Sequence, residues 1–225
     1  MTTKYVSAAM GTAAGIPLDL SNLDGYQPAI TIEAIAGPLS LLPRFLGHTT
    51  RPFSVAGHCL APIPLILHAH GTTAALAYLL HDAHEAFTGD LPSPLKNYLR
   101  RASVPPDVDP RCVKPRSGLD VLQDRLQAAI LHSLNVDAHL LRAHADMVSQ
   151  YDRAMVCCES NLLQATTEFT LEWTNRMATG FPLDLLRALT QSIETWVGAP
   201  RSPRAECDLF LSAFHRLRSY VNGSD

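Results

Sequence analysis

An imidazole, a carboxylate and, one turn on, a second carboxylate stand close together in His81-Asp82-Ala83-His84-Glu85. Read as helix, at about 100° per residue, Asp82 and Glu85 lie roughly 100° and 40° from His81, so all three side chains can face one pocket. An imidazole beside a carboxylate offers two ligands to a single divalent ion. Glu85 is then placed to orient or deprotonate a water. A lone His-Asp pair in an Ala/Leu-rich helix is ordinarily a solvated face, and the neighbours are what change its weight. His58 lies in the apolar stretch Ser54-Val55-Ala56-Gly57-His58, where a buried polar ring needs a partner. Directly after the His-Asp segment, Gly89-Asp90-Leu91-Pro92-Ser93-Pro94-Leu95-Lys96 brings an acid and a lysine to the mouth of whatever that segment lines.

The elements that must hold these groups read as helices throughout. Residues 1–30 are irregular, rich in Gly, Pro, Asn and Asp, with a hairpin signal around Ile16–Leu20. Thr31 with Glu33 marks a helix start, and Ile32, Ile35, Leu39 and Leu42 recur at helical spacing up to Gly47, with a kink expected at Pro38 and Pro43. Ser54 to Leu67 reads as a second helix interrupted near Pro62. Thr72–Phe87 is the strongest helical segment, starting Thr-Thr and ending before Gly89. A short helix follows at Leu95–Arg101, then a Pro-rich loop, an amphipathic helix at Leu119–Leu134, a long one at Ala138–Leu163, and two more beginning at Pro182 and Glu206. No segment alternates as a central strand does. The expected fold class is all-α, a helical bundle with a core at 31–165 and a helical extension at 166–225 packed on it.

Bulk properties exclude several classes. Hydrophobic residues make up 47% of the 225-residue chain and charged ones 17%, enough apolar surface for a buried core rather than a disordered chain. The net charge of −3 calls for no stable nucleic-acid complex. No stretch reaches the roughly 18 apolar residues of a membrane span, so no membrane partner is expected. Five cysteines, an odd number without CxxC spacing, fit a reducing cytoplasm better than a disulfide framework.

The segment His81 to Lys96 matches, without a gap, the pattern His-Asp-x-x-Glu-x-x-x-Gly-Asp-Leu-Pro-x-Pro-x-Lys. On it the chain resembles the HD superfamily of metal-dependent phosphohydrolases, and within it the bacterial 5′-deoxynucleotidases and phage-type HD nucleotide phosphohydrolases. Arg44-Phe45-Leu46-Gly47-His48-Thr49 and Ser54-Val55-Ala56-Gly57-His58 extend the likeness to the phage-type Arg-Phe-x-Gly-His-Thr and Ser-Val-Ala-x-His runs. The likeness covers about residues 10–165.

The resemblance implies a compact HD-domain bundle and one divalent metal (Co, Mn, Fe, Ni or Zn) held by His58, His81, Asp82 and a later aspartate. Asp146 and Asp152 both come into question, on different faces of their helix. Asp152-Arg153-Ala154-Met155 with Glu159 resembles the family's Ala-Asp-x-Arg…Glu stretch, and Asp152 is chosen. Glu159, seven residues on, shares its face and suits a supporting role. The resemblance further implies that Glu85 is the general base or acid and that Asp90 supports the sugar or the attacking water. It places Arg44 on the phosphate and Phe45, His48 and Lys96 against the substrate. Phe45 departs from the tryptophan that the 5′-deoxynucleotidases carry there. His68, His70, His132, His139 and His144 are read as surface or structural, and His84 as a minor competitor for the metal.

The implied reaction is release of phosphate from a deoxynucleoside monophosphate. Hydrolysis of a dNTP is the near alternative, for which the loop cations Arg100, Arg101, Arg111, Lys114 and Arg116 are the candidates to hold a triphosphate. A (p)ppGpp hydrolase or a non-catalytic nucleotide-sensing module ranks lower. A homo-oligomer is expected, with 166–225 covering the core or forming its contact.

Overall fold

The computed structural model describes residues 8–109, 113–221 and 223; Arg111 and Cys112 lie outside that description. A short antiparallel hairpin, β1 (Ala9–Met10) and β2 (Leu18–Asp19), pairs Ala9 with Asp19 and Met10 with Leu18. Everything else that is regular is helical, so the class is all-α. The helices are α1 (Ile32–Leu41), α2 (Val55–Leu60), α3 (Ile63–His70), α4 (Thr72–Leu79), α5 (Glu85–Thr88) and α6 (Ser93–Ala102). They continue with α7 (Gly118–Ser133), α8 (Ala138–Arg142), α9 (Ala145–Leu163), α10 (Glu168–Ala178), α11 (Leu183–Gly198) and α12 (Pro203–Val221). Among the described residues no helix is long and apolar enough to cross a membrane.

α4 is the axis. Ala74 to Leu80 are all buried, as a helix apolar on every side must be. Around it stand α3, α8, α9 and α12, while α1 packs on α2, α5 and α12, and α10 and α11 flank α9. The C-terminal helices are thus part of the shell: Phe210, Phe214 and Leu217 of α12 are buried in the same core as Ile35, Leu39 and Leu79.

Local chemistry explains where the helices start. Thr31 and Ser54 cap α1 and α2 by accepting hydrogen bonds from Ala34 and Gly57, and Ser117 with Asp120 forms a capping box on α7.

Four expectations need correction. The helix from Thr31 does not run to Gly47; it passes through Pro38, ends at Leu41, and the chain turns back so that Arg44 N–H donates to Phe53 O and Val55 N–H to Leu42 O. The segment 138–163 is two helices, broken at Ala143 and His144. α10 was not foreseen; Thr167 and Thr170 cap it reciprocally. Most consequential, Thr72–Phe87 is not one helix. The carbonyl of Tyr78, which would receive Asp82 N–H in an α-helix, instead accepts His81 Nδ1–H at 2.6 Å. The chain tightens to bonds three residues apart, His81 N to Tyr78 O, Ala83 N to Leu80 O and Glu85 N to Asp82 O. His81 and Asp82 therefore stand in a turn between α4 and α5. Gly89, at φ 77°, closes α5 and sends the chain into α6.

α2 depends on a close approach from the far end of the chain. A Cβ on Gly57 would stand 2.8 Å from Trp196 Nε1 of α11, which itself donates to Glu206 of α12 at 3.3 Å. Glu206 in turn accepts from Ser54, the α2 cap. Gly57→Ala is expected to force Trp196 aside and to cost about 1–3 kcal/mol. Thermal unfolding should show this as a melting temperature lower by roughly 3–10 °C.

Candidate metal centre

His58 is fully buried on α2, one residue beyond Gly57. Its Nδ1–H donates to Glu159 Oε1 of α9 at 2.6 Å, which aims Nε2 at the interior of the bundle. His81 is fixed in the same sense by the bond from its Nδ1–H to Tyr78 O. Two imidazoles thus present their Nε2 atoms to one another 3.4 Å apart, each oriented by an acceptor on its other nitrogen, as metal-binding histidines are.

The carboxylates complete the group. Asp82 Oδ2 lies 3.2 Å from His81 Nε2 and 3.8 Å from His58 Nε2, and Asp152 Oδ1 lies 3.3 and 3.8 Å from His58 and His81 respectively. Donor atoms bound at about 2.1 Å to one ion stand roughly 3.0–3.5 Å from their neighbours. The shorter separations here match that spacing, all four donor atoms lie within 4.8 Å of one another, and the two-nitrogen, two-oxygen set suits a borderline divalent ion such as Mn, Fe, Co, Ni or Zn. Asp146 is exposed in the first turn of α9; Asp152 is the aspartate brought to the histidines.

Electrostatics fit the same reading. Burial and Arg44 oppose a charge on His58, yet Glu159 and Asp152 outweigh them and lift it to about 9. Burial likewise opposes a charge on His81, and Asp82 and Asp152 raise it well above the ordinary imidazole range. Burial works to raise Asp82, Asp152 and Glu159 too, but the imidazoles hold all three below the usual carboxylate range. A cation entering here replaces protons that the carboxylates already bind to the rings.

Beside the cluster opens a cavity of about 530 Å³ whose lining includes Asp82, Asp152, Arg44, Glu85, Asp90 and Lys96. Glu85 is buried, with Oε1 accepting from Lys96 Nζ at 3.1 Å and Oε2 without a hydrogen-bond partner. Burial, then Asp82 and Asp90, pushes its carboxyl up to about 8. Arg44, also buried, donates from Nη1 to Asp90 Oδ2 at 2.9 Å and from Nε to Glu159 Oε2 at 3.3 Å. Glu159 therefore orients both the His58 imidazole and the Arg44 guanidinium, and does not pair with its helix neighbour Arg153.

Phe45 and His48 reach the cavity from the turn after α1. Phe45 sits at φ 53°, a left-handed conformation that costs a bulky residue about 1–2 kcal/mol. Sequence reasoning missed part of the wall: Gln164, Phe169 and Trp173 also line it. Phe169 and Trp173 are four apart and share a face of α10, a spacing visible in the chain once α10 itself is recognised.

The basic loop goes elsewhere. Arg100 pairs with Asp120 at 2.7 Å, and Arg116 with Asp124. With Arg101 and Lys114 they surround a separate hollow of about 680 Å³ that shares only Asn97 with the metal-side cavity. His70, read as a surface residue, is exposed but bonded to Tyr151 at 3.0 Å, next to Asp152. His68, His132 and His139 are exposed. His84 is half-buried with Nδ1 unpaired, near Asp82 and Glu85 but outside the four-residue group. Cys59, Cys157, Cys158 and Cys207 are free thiols.

No protein-family model matches the chain. It is 35% identical over 150 residues to an uncharacterized protein of Rhodobacter capsulatus, a match covering 63% of this chain and 73% of that one. Over 70 residues, 31% of this chain, it is 40% identical to the uncharacterized Escherichia coli K12 protein YfdR, of which the match spans 37%.

Proposed function

We propose, for a chain that belongs to the same family as the Rhodobacter capsulatus protein, that it is a divalent-metal-dependent phosphohydrolase of deoxynucleotides, releasing phosphate from a dNMP as an HD-type 5′-deoxynucleotidase does. One observation carries this reading: four donor atoms from α2, the turn after α4, and α9 converge beside a cavity that also holds a buried arginine and a buried glutamate. A cation held by His58, His81, Asp82 and Asp152 would supply a Lewis acid that polarises a phosphoryl oxygen and acidifies a water.

The remaining chemistry falls to side chains. Glu85 has one oxygen steadied by Lys96 and the other unpartnered, so it can take a proton from the attacking water or deliver one to the departing sugar oxygen. Arg44 neutralises phosphate charge with a planar fork whose orientation Asp90 and Glu159 fix. Phosphoryl transfer asks chiefly for such placement and charge neutralisation. Lys96 adds a cation on the same side, and His48 and Phe45 line the approach.

A monophosphate is favoured over a triphosphate because Arg100 and Arg116 are engaged with Asp120 and Asp124, around a different hollow. The setting that suits this reading is the cytoplasm, with the protein acting as a homo-oligomer. Purified protein should be assayed with dAMP and dATP across Co, Mn, Fe, Ni and Zn, with products identified. The expected result is inorganic phosphate from dAMP, lost on chelation and restored by metal. Tripolyphosphate from dATP would move the reading to the triphosphohydrolase. Hydrolysis undiminished by exhaustive chelation would overturn it.

A further inference from the structure

The cavity has two chemically different ends. Asp82, Asp152, Arg44 and Glu85 make one end charged, whereas α10 contributes Phe169 and Trp173. Phe169 is 76% exposed, although a ring of that size is ordinarily turned inward. Its neighbour Thr174, on the same helix, is buried, so α10 has an inner face that Phe169 does not use. Gln164, just before α10, accepts Ser160 Oγ–H on its Oε1 at 2.5 Å, which leaves its amide N–H groups to donate to a ligand. A volume of about 530 Å³ falls in the range of small-molecule sites.

Resting on the phosphohydrolase reading above, we infer that Phe169 and Trp173 form a stacking wall for the substrate's nucleobase, with the Gln164 amide donating to an acceptor on the base edge. Flat π-faces on the wall match a flat heterocycle, and a phosphate at the charged end sets the direction in which the nucleotide lies. The C-terminal extension then determines specificity: the enzyme requires a nucleoside phosphate, and a sugar phosphate without a base is a poor substrate.

The test compares dAMP with deoxyribose 5-phosphate. Trp173→Ala and Phe169→Ala are each expected to raise KM for dAMP roughly 10-fold with kcat little changed, and to leave the kinetics of deoxyribose 5-phosphate unaltered. Trp173→Phe, which keeps a ring, should restore KM for dAMP. Independently of turnover, dAMP should quench tryptophan fluorescence in the wild type and not in Trp173→Phe, while deoxyribose 5-phosphate should quench neither. Equal treatment of the two compounds by the wild type, equal losses on both in the alanine variants, or no quench with dAMP would overturn the stacking wall while leaving the phosphohydrolase standing. Quenching by dAMP without phosphate release from either compound would instead sink the monophosphate phosphohydrolase and retain the wall.

Discussion

Asp82→Ala and His81→Ala are expected to strip the protein of its divalent metal and to abolish hydrolysis together. Each removes one of four donor atoms that lie within 4.8 Å of one another. The loss goes beyond one bond. Asp82 is the carboxylate closest to His81 Nε2, at 3.2 Å, and without it the turn after α4 offers an imidazole alone. Changes that merely disturb the groups behind a metal ligand cost about 10–100-fold in affinity, so deletion of a ligand should exceed roughly 100-fold. Metal analysis of the purified variants, beside the wild type and the exposed control Asp146→Ala, measures this directly. Full metal occupancy in Asp82→Ala would mean that the cation is held elsewhere.

Glu85→Gln should fail differently: metal retained, turnover down by about 10²–10⁴, the usual weight of a general acid or base. Glutamine keeps the shape and can still accept from Lys96, but it cannot exchange a proton. Stability should not suffer. Burial, then Asp82 and Asp90, pushes the native carboxyl up to about 8, so near neutral pH it is already mostly uncharged, as the amide is. Metal content, kcat and melting temperature measured on one preparation separate a chemical role from a structural one. A fully active Glu85→Gln enzyme would remove Glu85 from the chemistry.

Much of this site is legible in the chain because its parts are local. His81, Asp82, Glu85, Asp90 and Lys96 fall within one short segment, and the imidazole in the apolar run before Cys59 stands out because buried polar groups need partners. What could not be read is set by contacts distant in sequence. The helix through His81 follows from composition, yet it breaks because the His81 ring takes the Tyr78 carbonyl, a competition that periodicity does not register. Arg44 was expected near a helix end; its position depends on Phe53 O and on Glu159, the latter 115 residues away. Phe169 and Trp173 reach the cavity only because α10 packs on α9, and no motif announces that. The loop cations looked available for a polyphosphate, yet Arg100 pairs with Asp120 because α6 and α7 lie together, and Arg116 pairs with Asp124 of the helix it precedes.

The bond from Ser54 to Glu206 joins groups 152 residues apart, and this sets an order of events during translation. At about 5–20 residues per second, Glu206 leaves the ribosome roughly 8–30 s after Ser54. Throughout that interval the cap of the short helix bearing His58 lacks its carboxylate, and Trp196 is not yet lodged over Gly57. The nascent chain therefore holds His58, His81, Asp82 and Asp152 before it has the brace that steadies the helix bearing the first of them.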